Sequence, residues 1–369
     1  MINPAQIEIQ LIASVVAVAC ALPGVFLVLR RMAMMADAIS HTVLLGIVLV
    51  FFLTRDLSSP LLIVGATATG VLTVSLVELL NRTRLVKADA AIGLIFPALF
   101  SVAIILISRF AGDVHLDTDA VLLGELAFAP FERLELAGWD FGPQALWVMG
   151  GILLLNVLFI GLFYKELKLA TFDAGLAAAL GFSPALIHYG LMSVVSVTAV
   201  GAFDAVGSVL VVALMIGPAA AAYLLTDRLS RMLGYSALIG VASAISGYWL
   251  AHWLDASIAG SMATMVGVVF VLVWLLAPER GLVAMARRRA RQRLSFAQTM
   301  LAIHLSNHEG QPEASQENRL DSLHTHLHWS PSFTQQVVRQ AEREGLVARQ
   351  GELLGLTDAG RRLAVEAIR

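Results

Sequence analysis

Cysteine is nearly absent from this 369-residue chain: Cys20 is its only one. No internal disulfide can form, and because Cys20 sits in an apolar run we read it as a small packing residue. Charge is scarce too. Charged residues make up 14% of the chain, against roughly 25% in an average soluble domain. There are three lysines, Lys87, Lys165 and Lys168, and none follows a glycine. A Gly-x-x-x-x-Gly-Lys-[Ser/Thr] phosphate loop is therefore excluded, so any ATP hydrolysis that serves this chain belongs to another one. The first ~20 residues lack the basic stretch and small-residue cleavage site of a signal peptide, and we read them as mature protein.

What the chain has in excess is apolar length. Apolar residues reach 58% and mean hydropathy is +0.79, which places it among polytopic membrane proteins. About 20 apolar residues cross a ~30 Å hydrocarbon core. Runs of that kind fall near 9–29, 34–54, 60–80, 90–108, 144–164, 186–202, 205–225, 233–252 and 260–277. The run at 186–202 is the shortest and is rich in Ser. The longest connection, 109–143, is acidic, with Asp113, Asp117, Asp119, Glu125, Glu132 and Glu135. Basic residues fall in alternate connections: Arg30–Arg31, NRTRLVK (81–87), YKELK (164–168), TDRLSR (226–231) and the Arg-rich stretch from 287. By the positive-inside rule the amino terminus is expected outside and the carboxyl terminus in the cytoplasm.

The chain changes character at Pro278. We divide it into a transmembrane domain (1–280), a basic juxtamembrane linker (281–294) and a soluble cytoplasmic domain (295–369). The linker's RRRARQR suits contact with anionic lipid. The last part reads as helices near 295–307, 317–327 and 331–344, a two-stranded wing at 346–356, and a helix from Asp358. Ser330 is placed to cap the third helix, Pro331 suits its first turn and Gly345 its end. The expected fold is thus an all-α polytopic membrane protein of about nine spans with a small winged-helix-like carboxyl-terminal domain.

Within the second span, ADAISHTVLLG (36–46) keeps an aspartate and a histidine that mere spanning would discard. An ionised Asp in a span costs about 2.5 kcal/mol or more. Asp37 and His41 are four apart, on one helix face, where carboxylate and imidazole can share a divalent transition ion. Counted from Arg31, they lie roughly 9 and 15 Å deep. Met32, Met34 and Met35 nearby read as packing.

RRMAMMADAISHTVLLGIVLVFF, which contains this pair, resembles the signature segment of the ABC-type manganese/zinc/iron permease family. KELKLATFDAGLAAALGFSP (165–184) resembles that family's cytoplasmic segment, and VGSVLVVALMIGPAAAAYLLTDRL (206–229) its late span. The likeness covers roughly residues 1–280. It departs from the family at Leu45, where Pro is usual, and at Asp204, where an uncharged polar residue is usual. Loss of the proline relaxes a kink. Asp204 is either an extra carboxylate on the metal path or a residue facing water at the end of a span.

The resemblance implies a permease subunit of an ATP-driven importer for manganese, zinc or iron, in the bacterial cytoplasmic membrane, with no permanently bound cofactor. Asp37 and His41 would be the metal ligands. Phe172, Asp173, Ala177 and Gly181 would belong to a short helix that docks the separate ATPase, with Gly181 ending it. An external metal-binding protein and a second permease subunit, identical or homologous, are the other implied partners. An ion-gradient-coupled metal carrier is the rival reading; a metal-responsive, membrane-tethered regulator is another. Small-residue stripes, GATATG (65–70) and GSMATMVG (260–267), allow close helix contact within or between chains.

The tail resembles the DNA-binding part of metal-responsive repressors of the diphtheria-toxin-repressor type. From 295 on it carries seven Arg against nine Asp and Glu, which argues against nucleic acid as a partner. Five of the nine histidines lie in it, at 304, 308, 324, 326 and 328. His304 and His308, again four apart, are candidate ligands for a cytoplasmic ion. Metal sensing and contact with the ATPase remain alternatives for this domain.

Overall fold

The computed structural model describes residues 3–55, 59, 61–110, 126–136, 139–312 and 314–368. The chain forms two compact units, residues 1–281 and 282–369.

Among the described residues, nine helices are long and apolar enough to cross a membrane. They are α1 (Pro4–Leu29), α2 (Ala33–Thr54), α3 (Leu61–Arg82), α4 (Ala88–Phe110), α5 (Gln144–Leu162), α8 (Pro184–Val206), α9 (Ser208–Leu225), α10 (Leu229–Leu254) and α11 (Ile258–Leu276). Two short helices, α6 (Tyr164–Phe172) and α7 (Ala174–Ala179), lie between α5 and α8. The Ser-rich run expected at 186–202 is longer than its apolar stretch. Ser183 caps it, accepting from the Leu186 N–H, and Pro184 opens it, an arrangement that starts a helix before its hydrophobic part begins. Gly207, at φ +77°, separates α8 from α9, a conformation that favours glycine.

α1 is the central post. Its apolar window is 67% buried within the unit, against 17% for α4, so α4 presents most of its surface outward. Buried polar groups tie the helices together. Asn156 on α5 donates to Ala19 O (2.8 Å) and pairs with Thr198 on α8. Thr73 on α3 donates to Thr42 on α2 (2.8 Å). Bonds of this kind between membrane helices average about 0.6 kcal/mol each. Where α2 crosses α3 the backbones touch: a Cβ on Gly46 would lie 2.3 Å from Gly65 O. The 65–70 stripe is therefore spent on packing within the chain, since Gly70 is similarly close to Ser196. In the 260–267 stripe, Gly267 faces open space. α2 runs unbroken through the buried Leu45, and Cys20 is fully buried as a packing residue.

The acidic connection holds a feature not expected from its composition. Arg133–Leu136 (β1) and Trp139–Pro143 (β2) pair as an antiparallel hairpin, with an irregularity between Arg133 and Glu135. Arg133 binds Asp140 (2.5 Å) and reaches Glu8 at 3.4 Å. Strands of four or five residues, one of them bulged, leave little alternation to read. Asp113, Asp117, Asp119 and Glu125 lie outside the described residues.

The second unit consists of α12 (Leu282–His308), α13 (Ala314–Glu317), α14 (Leu320–His326), α15 (Pro331–Arg343), the antiparallel pair β3 (Val347–Gln350) and β4 (Leu353–Leu356), and α16 (Asp358–Ile368). Its core gathers Leu301, Leu305, Leu323, Val337, Val338, Ala341 and Leu354. The stretch 281–294, expected as a basic juxtamembrane linker, is helical from Leu282 and forms the first half of α12. Ala, Arg, Leu, Met and Gln are strong helix formers and no Gly or Pro interrupts 282–308, so nothing ends the helix before the Gly310 turn. Arg293, from the basic run, lies over the Phe333 ring at 4.3 Å.

Candidate metal site

α2 starts at Ala33, so Asp37 and His41 lie one and two turns into it. His41 Nε2 is 3.5 Å from Asp37 Oδ1. The His41 ring stacks on Phe96 (centroids 5.6 Å) and meets the edge of Phe100 (5.9 Å), both on α4. Ser40, between them in sequence, is buried and back-bonds to Ala36 O (2.9 Å). The two candidate ligands themselves keep about a third of their surface, 32% for His41 and 34% for Asp37. Two possible donors thus share one helix face, the imidazole packed on aromatic rings and both side chains partly open to solvent. Of the three nearby methionines, Met35 is buried and Met34 exposed.

Asp204 is placed elsewhere. It stands near the end of α8, exposed, on the wall of a cavity of about 290 Å³ that also takes in Glu132 and Gln144. No hydrogen bond, ion pair or cavity joins it to Asp37 or His41 among the described residues.

The expected docking segment is a helix–turn–helix at the end of the bundle that carries Arg30. Phe172 ends α6 and is exposed. Asp173 caps α7, its Oδ1 accepting from the Leu176 N–H at 2.9 Å. Ala177 is fully buried and anchors the turn. Gly181 has φ +87°, and the Phe182 N–H reaches back to Ala177 O (3.0 Å), the bonding that closes a helix with a left-handed residue. Phe172, Leu176, Leu180 and Phe182 leave an apolar surface exposed here.

A polar chain beside it was not foreseen. Arg30, capping α1, donates from Nε to Thr171 on α6 (3.1 Å), and its guanidinium meets His188 Nδ1 on α8 (3.3 Å). His188 Nε2 lies 3.7 Å from Glu78 on α3, and Glu78 binds Arg82 at 2.6 Å. Burial lowers the Arg30 guanidinium from its ordinary value. Four helices are joined through partners as much as 158 residues apart. The available sign was a Glu and a His inside otherwise apolar runs.

In the tail, His304 and His308 come together as expected, with ring centroids 4.8 Å apart. Glu317 joins them: one ligand atom from each of the three lies within 4.8 Å of the others. His326 Nδ1 is 3.1 Å from Glu317 Oε2. Burial pushes the His304 imidazole below its ordinary range, and neighbouring His308 acts in the same direction, against the Glu317 carbonyl.

The description of the ABC 3 transport family matches residues 6–277. The chain belongs to the ABC 3 transport family. It is the multi-pass permease subunit of an ATP-driven importer, with hydrolysis on a separate chain. Among ABC 3 relatives it is 52% identical over 357 residues to the zinc transport system membrane protein TroD of Treponema pallidum, covering 97% of each chain, so that likeness runs into the tail. It is 51% identical to the manganese transport system membrane protein MntD of Bacillus subtilis, over 73% of this chain and 90% of that one. Among solved structures, PsaBC from Streptococcus pneumoniae in complex with Fab superposes with a TM-score of 0.62 at 27% identity, covering 75% of this chain and 94% of that one.

Proposed function

We propose that this ABC 3 subunit imports a divalent transition ion, manganese or zinc, and that Asp37 and His41 form its half of the ligand set at the membrane-embedded site. The observation that carries the reading is this pair, a carboxylate and an imidazole 3.5 Å apart in a span and open on one side. First-row ions take four or more donors. A second permease subunit offering the same two residues would complete the set, and the open side of the pair is where it would have to approach. The TroD and MntD names, zinc and manganese, fit such a donor set. Ferrous iron fits it equally by ligand chemistry.

The ATPase docks on α6–α7, with Phe172, Leu176 and Leu180 as the apolar surface and Asp173, Ala177 and Gly181 shaping the turn. Arg30 passes the movement from Thr171 to the head of α2. This end of the bundle is cytoplasmic, since the basic connections gather there. An external metal-binding protein meets the opposite end, where Asp204 and Glu132 share a cavity and attract cations on entry. The tail is a winged-helix-like domain, an assignment supported by its helices followed by the β3–β4 hairpin and α16, and serves regulation rather than DNA binding.

The test is uptake of radioactive manganese and zinc into vesicles holding the full transporter. Uptake should require ATP and fall to background with His41→Ala, the subunit remaining in the membrane. Uptake driven by an ion gradient without ATP would favour the carrier reading.

A further inference from the structure

His304 and His308 are turn-related side chains of α12, but their third neighbour comes from another helix. The chain leaves α12, turns at Gly310 (φ +79°) and returns through α13, whose last residue is Glu317. That return sets a carboxylate against His304 and His308, with one ligand atom of each within 4.8 Å of the rest. Metal–nitrogen and metal–oxygen bonds of about 2.0–2.2 Å put the donors of one ion some 3–4 Å apart. Closure asks for roughly an ångström of side-chain rotation.

Hydrogen bonding alone does not account for the cluster. His308 Nδ1 is buried and has no partner, although buried ring nitrogens are normally satisfied. His304 Nε2 meets only the Glu317 carbonyl, at a long 3.4 Å. His326, stacked near His304 (6.1 Å between centroids, 29° between planes), meets Oε2 of the Glu317 carboxylate at 3.1 Å. Ligating carboxylates are commonly oriented by such an outer partner.

We infer that His304, His308 and Glu317 bind one divalent first-row transition ion in the tail, with His326 as the positioning residue for the carboxylate. Two imidazoles and one carboxylate leave coordination positions to water and suit zinc, manganese or ferrous iron. The choice of zinc as the probe rests on the import reading, but binding is measured without transport, so the two can fail separately. All four residues lie in the second unit, and the site is independent of the pair on α2.

The experiment uses the full-length chain in lipid nanodiscs with Asp37→Ala and His41→Ala in place, so that the membrane pair is silent. Equilibrium dialysis against zinc, and cobalt as a coloured substitute, should find one ion retained per chain. His308→Ala and Glu317→Gln should each weaken retention by more than about 100-fold, beyond the 10–100-fold usual for outer partners. His326→Ala should fall within that lower range. Glu317→Gln preserves size and hydrogen bonding, so an unchanged thermal melt in the metal-free state separates ligand loss from misfolding. No retained ion, or retention that survives Glu317→Gln or His308→Ala, overturns the assignment. Retention abolished instead by His324→Ala or His328→Ala would overturn it as well.

Discussion

The chain places a pair of ligand-type side chains four residues apart on a helix twice, and the two surroundings differ. On α2, His41 beside Asp37 is backed by Phe96 and Phe100, and the pair has no third donor among the described residues. On α12, His304 and His308 receive Glu317 from a second helix, and Glu317 in turn is held by His326. Local geometry is the same; completeness is not. An incomplete set suits an ion that must arrive and leave, because no single subunit can retain it. A set closed within one unit suits an ion that stays and reports.

The comparison breaks most sharply at Asp37. Asp37→Asn keeps size and hydrogen bonding but removes the charge that offsets a divalent ion in the membrane. Metal-dependent uptake should fall by more than about 100-fold, above the range for residues that only orient a ligand. The tail's zinc retention should be unchanged, and a joint loss would show that the two sites are not independent. Gly181→Val comes next. A branched residue at φ +87° costs about 1–3 kcal/mol of strain, so α7 should lose its end. ATP-driven uptake is expected to drop about tenfold or more, while ion binding at Asp37 and His41 persists. Equal uptake with normal ATPase co-purification would remove α6–α7 as the docking element. The smallest effect is expected at Arg30→Gln, which keeps a donor for Thr171 but gives up the charge facing His188, itself beside Glu78. Coupling changes through such positions run about 0.5–2 kcal/mol, or roughly 2- to 30-fold in uptake at constant ATPase activity. No change would make the Arg30 chain purely structural.

Much of this was legible in the sequence, and the physical reason differs by element. The membrane helices were readable because a span needs a fixed apolar length and no partner to satisfy its backbone. The closeness of Asp37 to His41 and of His304 to His308 was readable because residues four apart on a helix share a face. Glu317 stood out less: its place depends on a single turn at Gly310, which composition does not aim. The Arg30 contacts join Thr171, 141 positions away, and no periodicity carries that distance. The basic stretch 287–293 reads as a linker by its charge, and the same Arg, Ala and Gln residues favour the helix that it forms.

The meeting of Gly46 with Gly65 has a mechanical consequence. With no room for a Cβ between α2 and α3 at that point, any side chain placed there would have to part the two backbones. Along α2, Asp37 lies about 14 Å from the contact; along α3, Glu78 lies about 20 Å from it. A larger residue at either glycine would therefore displace Asp37 and the Glu78 contacts with Arg82 and His188 together, although it touches none of them.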